Sequence, residues 1–285
     1  MFPRHDTRQT SSAPDRRTRA RHLGHALAFV VAAIVVIAAT GPVAALGAGL
    51  LGLQHIPMWT FAGVCSLLLL ATSAIALRLE RTSLADLGLA FTRRRVAEMG
   101  LGFVVGVTLF ALLTLVRVGG VAGAAGLLTA LLLLLPEELL FRGVAFQRLI
   151  AAIGAWPAIL VSAALFGAYH AIGSQMWAMG LFFQIAMPAL GGVVFGWAAV
   201  RTRGLALPIG LHLGGNWVQS SLLTLRPLHD SAPAGPWTAR LSDAQFQALH
   251  APDLQVHLPY IVTILAIAFL VHVSVTRAAP APGHR

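Results

Sequence analysis

The chain has 285 residues, 57% of them hydrophobic and 11% charged, with a mean hydropathy of +0.79. Soluble domains carry roughly 25% charged residues, and here apolar runs of the ~20 residues that a spanning helix needs follow one another, so a water-soluble globular protein is excluded. The formal net charge of +10 is carried by arginine alone, without lysine. That composition points to a GC-rich, bacterial genome and not to a nucleic-acid partner, because the arginines gather at the ends of apolar runs, where membrane topology accounts for them.

Residues 1–22 are polar and hold six arginines, which predicts a disordered basic arm. Apolar runs follow over Leu23–Leu53, Pro57–Leu77, Val96–Val116, Val121–Ile150, Trp156–Ile172, Trp177–Val200, Ala206–Leu225 and Leu258–Val275. They predict an all-α polytopic membrane domain of about eight transmembrane helices over 23–277, with 278–285 as a short tail. The first run is too long for a signal-peptide core and is expected to be a retained helix. Cys65, the single cysteine, reads as a small buried apolar residue in the second run. The polar loop RLERTSLADLGLAFTRRR separates the second and third runs. Arginine placement puts both termini on the cytoplasmic side of the inner membrane and the Arg226–His257 loop outside, where its histidines face water.

The fourth run contains LLLLLPEELLFRG, Leu131 to Gly143. A carboxylate at the centre of a spanning helix costs around 2.5–3.5 kcal/mol, so such groups face an interior and have partners. Arg142 follows Glu138 by four residues and shares its helix face. It follows Glu137 by five and is out of phase with it. Arg142 therefore neutralises Glu138 and leaves Glu137 available. Pro136 removes a backbone donor and frees the carbonyl of Leu132, which predicts a bend or local opening.

The fifth run ends in FGAYHAIGS, with His170 four residues after Phe166. The seventh carries LPIGLHLGGNW, with His212 and Asn216 on one helix face, Pro208 in the first turn, and Gly210, Gly214 and Gly215 permitting close helix approach. Two carboxylates, an arginine, two histidines and an amide on three apolar helices satisfy one another only by converging. These are parts that activate water: Glu137 as general base, His170 sharing the water as hydrogen-bond partner or metal ligand, and His212 with Asn216 donating to an oxyanion. His170 and His212 are the candidate ligands for zinc or another divalent metal. A metal-free mechanism is the other option, and without HExxH the site is not of the common zincin type.

In order, EELLFR, FGAYH and HLGGN resemble the EExxxR, FxxxH and HxxxN motifs of the CAAX protease and bacteriocin-processing (CPBP, or Abi) family of intramembrane proteases, which includes the type II CAAX prenyl endopeptidases. The resemblance covers roughly Leu84 to Leu225, with SLADLGL similar to a short segment that often precedes the core. It implies a helical membrane fold and an intramembrane site. It also implies hydrolysis of a peptide bond in a membrane-embedded or prenylated substrate, with Glu137, Glu138, Arg142, His170, His212 and Asn216 in the site. Two other classes use similar residues: a proton-coupled transporter, and a non-catalytic scaffold or bacteriocin immunity protein.

The topology is open to a direct test. Alkaline phosphatase fused within the Arg226–His257 loop is expected to be active, and a fusion after Arg277 inactive. The reverse pattern would sink the eight-span reading.

Overall fold

The computed structural model describes residues 15–52, 56, 58–118, 127–172, 179–218, 224–227, 238–241 and 254–277. In chain order the helices are α1 (Arg16–Leu50), α2 (Met58–Leu79), a 3-10 turn (Leu84–Leu87), α3 (Arg93–Val118), α4 (Leu127–Arg142), α5 (Val144–Ile153), α6 (Ala155–Ala171), α7 (Met179–Thr202), α8 (Ala206–Trp217) and α9 (Leu254–Arg277). Two four-residue strands, β1 (Thr224–Pro227) and β2 (Thr238–Leu241), pair in parallel between α8 and α9. The other elements among the described residues are all helices, which satisfy their own backbone groups where they meet lipid. Among the described residues, Arg16–Leu50, Thr60–Leu79 and Gln184–Thr202 are long and apolar enough to cross a membrane.

Three boundaries differ from those expected. α1 begins at Arg16, so the last seven residues of the expected arm are helical. Asp15 caps the helix by accepting the Thr18 N–H at 2.6 Å, and arginine is a good helix former. At 35 residues, α1 is about 52 Å long, well beyond the ~30 Å hydrocarbon layer, and its basic first turns extend past it. The expected fourth span is two helices, because the chain breaks at Gly143. A Cβ there would collide with the Leu139 carbonyl. The expected seventh span stops as a helix at Trp217, and Thr224 and Leu225 lie in β1. Residues 1–14 of the arm, the tail 278–285 and most of the 226–257 loop fall outside the described residues.

Long-range polar contacts gather helix ends at one end of the bundle. Glu80, at the end of α2, pairs with Arg148 of α5 and with His25 near the start of α1 (2.8 Å). Arg95, in the first turn of α3, donates to the carbonyls of Thr202 and Arg203 at the end of α7, each at 2.9 Å. The SLADLGL segment belongs to the same end. Its 3-10 turn carries a Ser83–Asp86 capping box, and the Leu87 carbonyl accepts the Leu205 N–H at the start of α8.

α3 and α8 pack backbone to backbone. Gly102 and Gly106 of α3 face α8, and Gly210 and Gly214 of α8 face α3. A Cβ on Gly102 would lie 2.5 Å from the Leu207 carbonyl oxygen, and one on Gly106 would lie 2.6 Å from that of Leu211. Small residues four apart let helices approach to this range. The close approach holds α8 beside α4. Gly102→Ala is expected to force the pair apart and lower the unfolding temperature in detergent, an overpacking cost of about 1–3 kcal/mol. Gly100, two residues earlier with open space around its Cα, serves as the control: Gly100→Ala is expected to be neutral or stabilising. Equal destabilisation in both variants would contradict the packing argument.

Candidate functional site

The polar motif residues meet on the seam between two apolar clusters. One is built from α1, α2, α4, α5 and α8, the other from α3, α6, α7, α8 and α9. α4 delivers Glu137, Glu138 and Arg142 near its C-terminal end, close to the Gly143 break and not midway along a span. α6 delivers His170 in its last turn, and α8 delivers His212 and Asn216.

Glu138 and Arg142 are both fully buried. Glu138 Oε1 accepts from Arg142 Nη1 at 3.3 Å and hydrogen-bonds His212 Nδ1 at 2.8 Å. An ionised carboxylate only accepts, so Nδ1 of His212 carries the proton, and in the neutral ring Nε2 holds the lone pair. That Nε2 lies 3.7 Å from Glu137 Oε2. The helical phase read from the sequence is thus the phase in the fold: Glu138 takes the arginine, and Glu137 faces elsewhere, toward His212.

His170 Nδ1 lies 2.8 Å from the Phe166 carbonyl. A carbonyl cannot donate, so Nδ1 is again the protonated nitrogen and Nε2 is left to act. The Phe166 ring also packs edge-on to both imidazoles, at 4.5 Å from His170 and 5.9 Å from His212. It further covers Arg142, whose guanidinium carbon sits 4.2 Å from the ring centroid, with Phe195 at 5.3 Å and Phe141 at 5.8 Å. Three aromatic faces partly replace the water that Arg142 has lost. Gly192 of α7 leaves the room, since a Cβ there would stand 3.2 Å from Arg142 Nη2.

Glu137 and Asn216 line a cavity of about 440 Å³ with Tyr169, Cys65, Phe61 and Pro136 among its walls. Glu137 Oε2 is buried without a hydrogen-bond partner among the described residues, so this carboxylate has unused acceptor capacity beside the cavity. Ser66, next to Cys65 on α2, donates to the Leu132 carbonyl at 2.9 Å. That carbonyl is the one Pro136 frees, and α4 runs on through the proline. Tyr169, Phe195 and Gly192 were missed in the sequence. Tyr169 sits inside FGAYH, beside its histidine, whereas the two α7 residues carry no local signal. Cys65, read as a buried apolar residue, is buried and also borders the cavity.

The donors of a metal site are imidazole and carboxylate, which Glu137, His170 and His212 supply. Among the described residues, however, no three His, Cys, Asp or Glu side chains are gathered as a metal-binding group. No step is derived through an ion.

Fold and site together define a polytopic helical membrane protein with a buried Glu–Arg–His cluster opening on a cavity. Residues 120–218, about a third of the chain, match the model of the type II CAAX prenyl endopeptidase Rce1-like family. That stretch holds all three motifs, so the likeness to the family falls on the residues that build the site. No curated protein and no solved structure matches the chain.

Two carboxylates side by side on one helix are expected to behave differently. Glu138→Gln leaves Arg142 buried and unpaired, a loss of about 3–5 kcal/mol, and should lower the unfolding temperature markedly. Glu137→Gln removes no ion-pair partner of Arg142 and should unfold near wild type. Thermal unfolding in detergent measures both, and equal losses would defeat the division of labour.

Proposed function

We propose that the protein is an intramembrane endopeptidase that hydrolyses a peptide bond in a membrane-embedded or lipid-modified substrate, with Glu137 as the base that activates water. The observation that carries this reading is the buried Glu137 Oε2, without a hydrogen bond among the described residues, at a cavity that also presents Asn216. Glu137 takes a proton from water as the water oxygen attacks the scissile carbonyl. It then delivers that proton to the departing amine, so that the carboxylate is regenerated. His170, its Nδ1 committed to the Phe166 carbonyl, offers Nε2 as acceptor to the same water.

The tetrahedral oxyanion needs donors. Asn216 supplies its amide N–H from the cavity wall. His212 donates through Nε2 while it holds the proton that Glu137 took from water, passed across the 3.7 Å between Nε2 and Glu137 Oε2 and returned before it goes to the amine, with Glu138 holding the Nδ1 side. Glu138 and Arg142 therefore act as positioning residues, setting the orientation of His212. The apolar remainder of the cavity, with Ile37, Phe61, Ala62, Leu133 and Leu140, suits a hydrocarbon-bearing substrate. The protein sits in the inner membrane with both termini in the cytoplasm. The gathering of the α1 start and the α2, α3 and α7 arginine-bearing ends at one end of the bundle supports that orientation.

The test is cleavage of a membrane-anchored peptide by the purified full chain. Glu137→Gln is expected to lower kcat by about 10²–10⁴, and Asn216→Ala by about 10²–10³ with KM little changed. Treatment with a chelator is expected to leave the rate unchanged. A rate abolished by chelation and restored by zinc would replace this mechanism with a metal-dependent one, and wild-type turnover in Glu137→Gln would remove the base.

A further inference from the structure

A second cavity, of about 540 Å³, lies on the other side of α8 from the candidate active site, between α3, the α7–α8 junction and α9. Its depth is apolar: Leu101 of α3, Leu207 and Leu211 of α8 and Leu270 of α9 line it. Its α3 wall begins at Arg94 and Glu98 and ends at Val105. Residues 94, 98, 101 and 105 share one face of α3, so the groove runs about 16 Å down that helix, charged at one end and greasy below.

The charged end is over-supplied with cations. Arg94 and Arg95 share the single carboxylate of Glu98, at 2.8 and 2.7 Å. Arg95 is further committed to the α7 carbonyls, whereas Arg94 is 71% exposed. Arg93 and Arg203 beside it are exposed as well. All three consecutive arginines occupy the first turn of α3, where the helix dipole already presents positive charge and disfavours them. An anion at this point relieves both the dipole and the cation excess, and the groove beneath it takes hydrocarbon.

We propose that this groove binds an anionic phospholipid, its phosphate held by Arg93 and Arg94 and an acyl chain lying between α3 and α9 against Leu207 and Leu211. Those two leucines precede His212 on α8, Leu211 directly, so an occupied groove buttresses the helix that carries the site. The proposal stands whether or not the chain is a peptidase.

The full chain, purified in detergent, is titrated with phosphatidylglycerol, phosphatidylcholine and inorganic phosphate, and bound lipid is counted by native mass spectrometry. Phosphatidylglycerol is expected to bind at least tenfold more tightly than phosphatidylcholine, since about fivefold accompanies each basic residue at a membrane surface. The surface variant R93Q/R94Q should weaken it about 25-fold while phosphatidylcholine is unaffected. Leu270→Trp, which fills the groove and spares the arginines, should also weaken it. Equal affinity for the two lipids, or an R93Q/R94Q variant that binds as wild type, overturns the proposal. Displacement by inorganic phosphate would make this a free-anion site. Binding that appears only after residues 278–285 are removed would give the groove to the chain's own tail.

Discussion

The site depends on one buried carboxylate. Glu138 has no exposure and lies between Arg142 and the imidazole of His212. A lone carboxylate in an apolar interior is prohibitively costly, and so is a lone guanidinium. Each becomes tolerable only through the other, which ties α4 to itself. The hydrogen bond to His212 then ties α4 to α8. The imidazole cannot turn without exposing that carboxylate, so the Nδ1 proton, and with it the character of Nε2, is set by a residue 74 positions away. The glycine-lined contact of α3 with α8 and the Phe141, Phe166 and Phe195 faces around Arg142 keep that geometry assembled.

This arrangement gives the two adjacent glutamates opposite properties with little change in surroundings. Glu138 spends its Oε1 on both Arg142 and His212 and is structural in consequence. Glu137, one step around the helix, makes no hydrogen bond through Oε2 among the described residues and has a face on the cavity. Helical phase alone separates them. A site built this way needs no long-range charge network, and the apolar composition of the three motif helices follows from that economy.

Much of this was legible because it is local. The four-residue spacing of Glu138 and Arg142, the carbonyl freed by Pro136, the paired positions of His212 and Asn216 and the glycines of α8 are all consequences of one helix's own geometry. What the sequence hid are the contacts between helices. Nothing near His212 names Glu138 as its partner, and nothing near Phe195 announces an arginine beneath its ring. The break at Gly143 hid differently: a single glycine in an apolar run reads as continuous helix, and only the backbone placed against the Leu139 carbonyl shows that no side chain fits there. Two signals were present and unread. Gly102 and Gly106 repeat the small-residue spacing of α8, and Asp15 three residues before Thr18 marks a helix start inside what looked like a polar arm.

The hydroxyl of Ser66 has a consequence for selectivity. It answers the Leu132 carbonyl that Pro136 leaves without a backbone donor, and it sits one residue from Cys65 and one turn from Phe61 and Ala62 on the same wall. The bond joins α2 to α4 where both helices wall the cavity, beside the apolar packing that already holds them in one cluster. A donor lost within one helix is thus made good from its neighbour, and the hydroxyl that does so helps to set the width of the cavity.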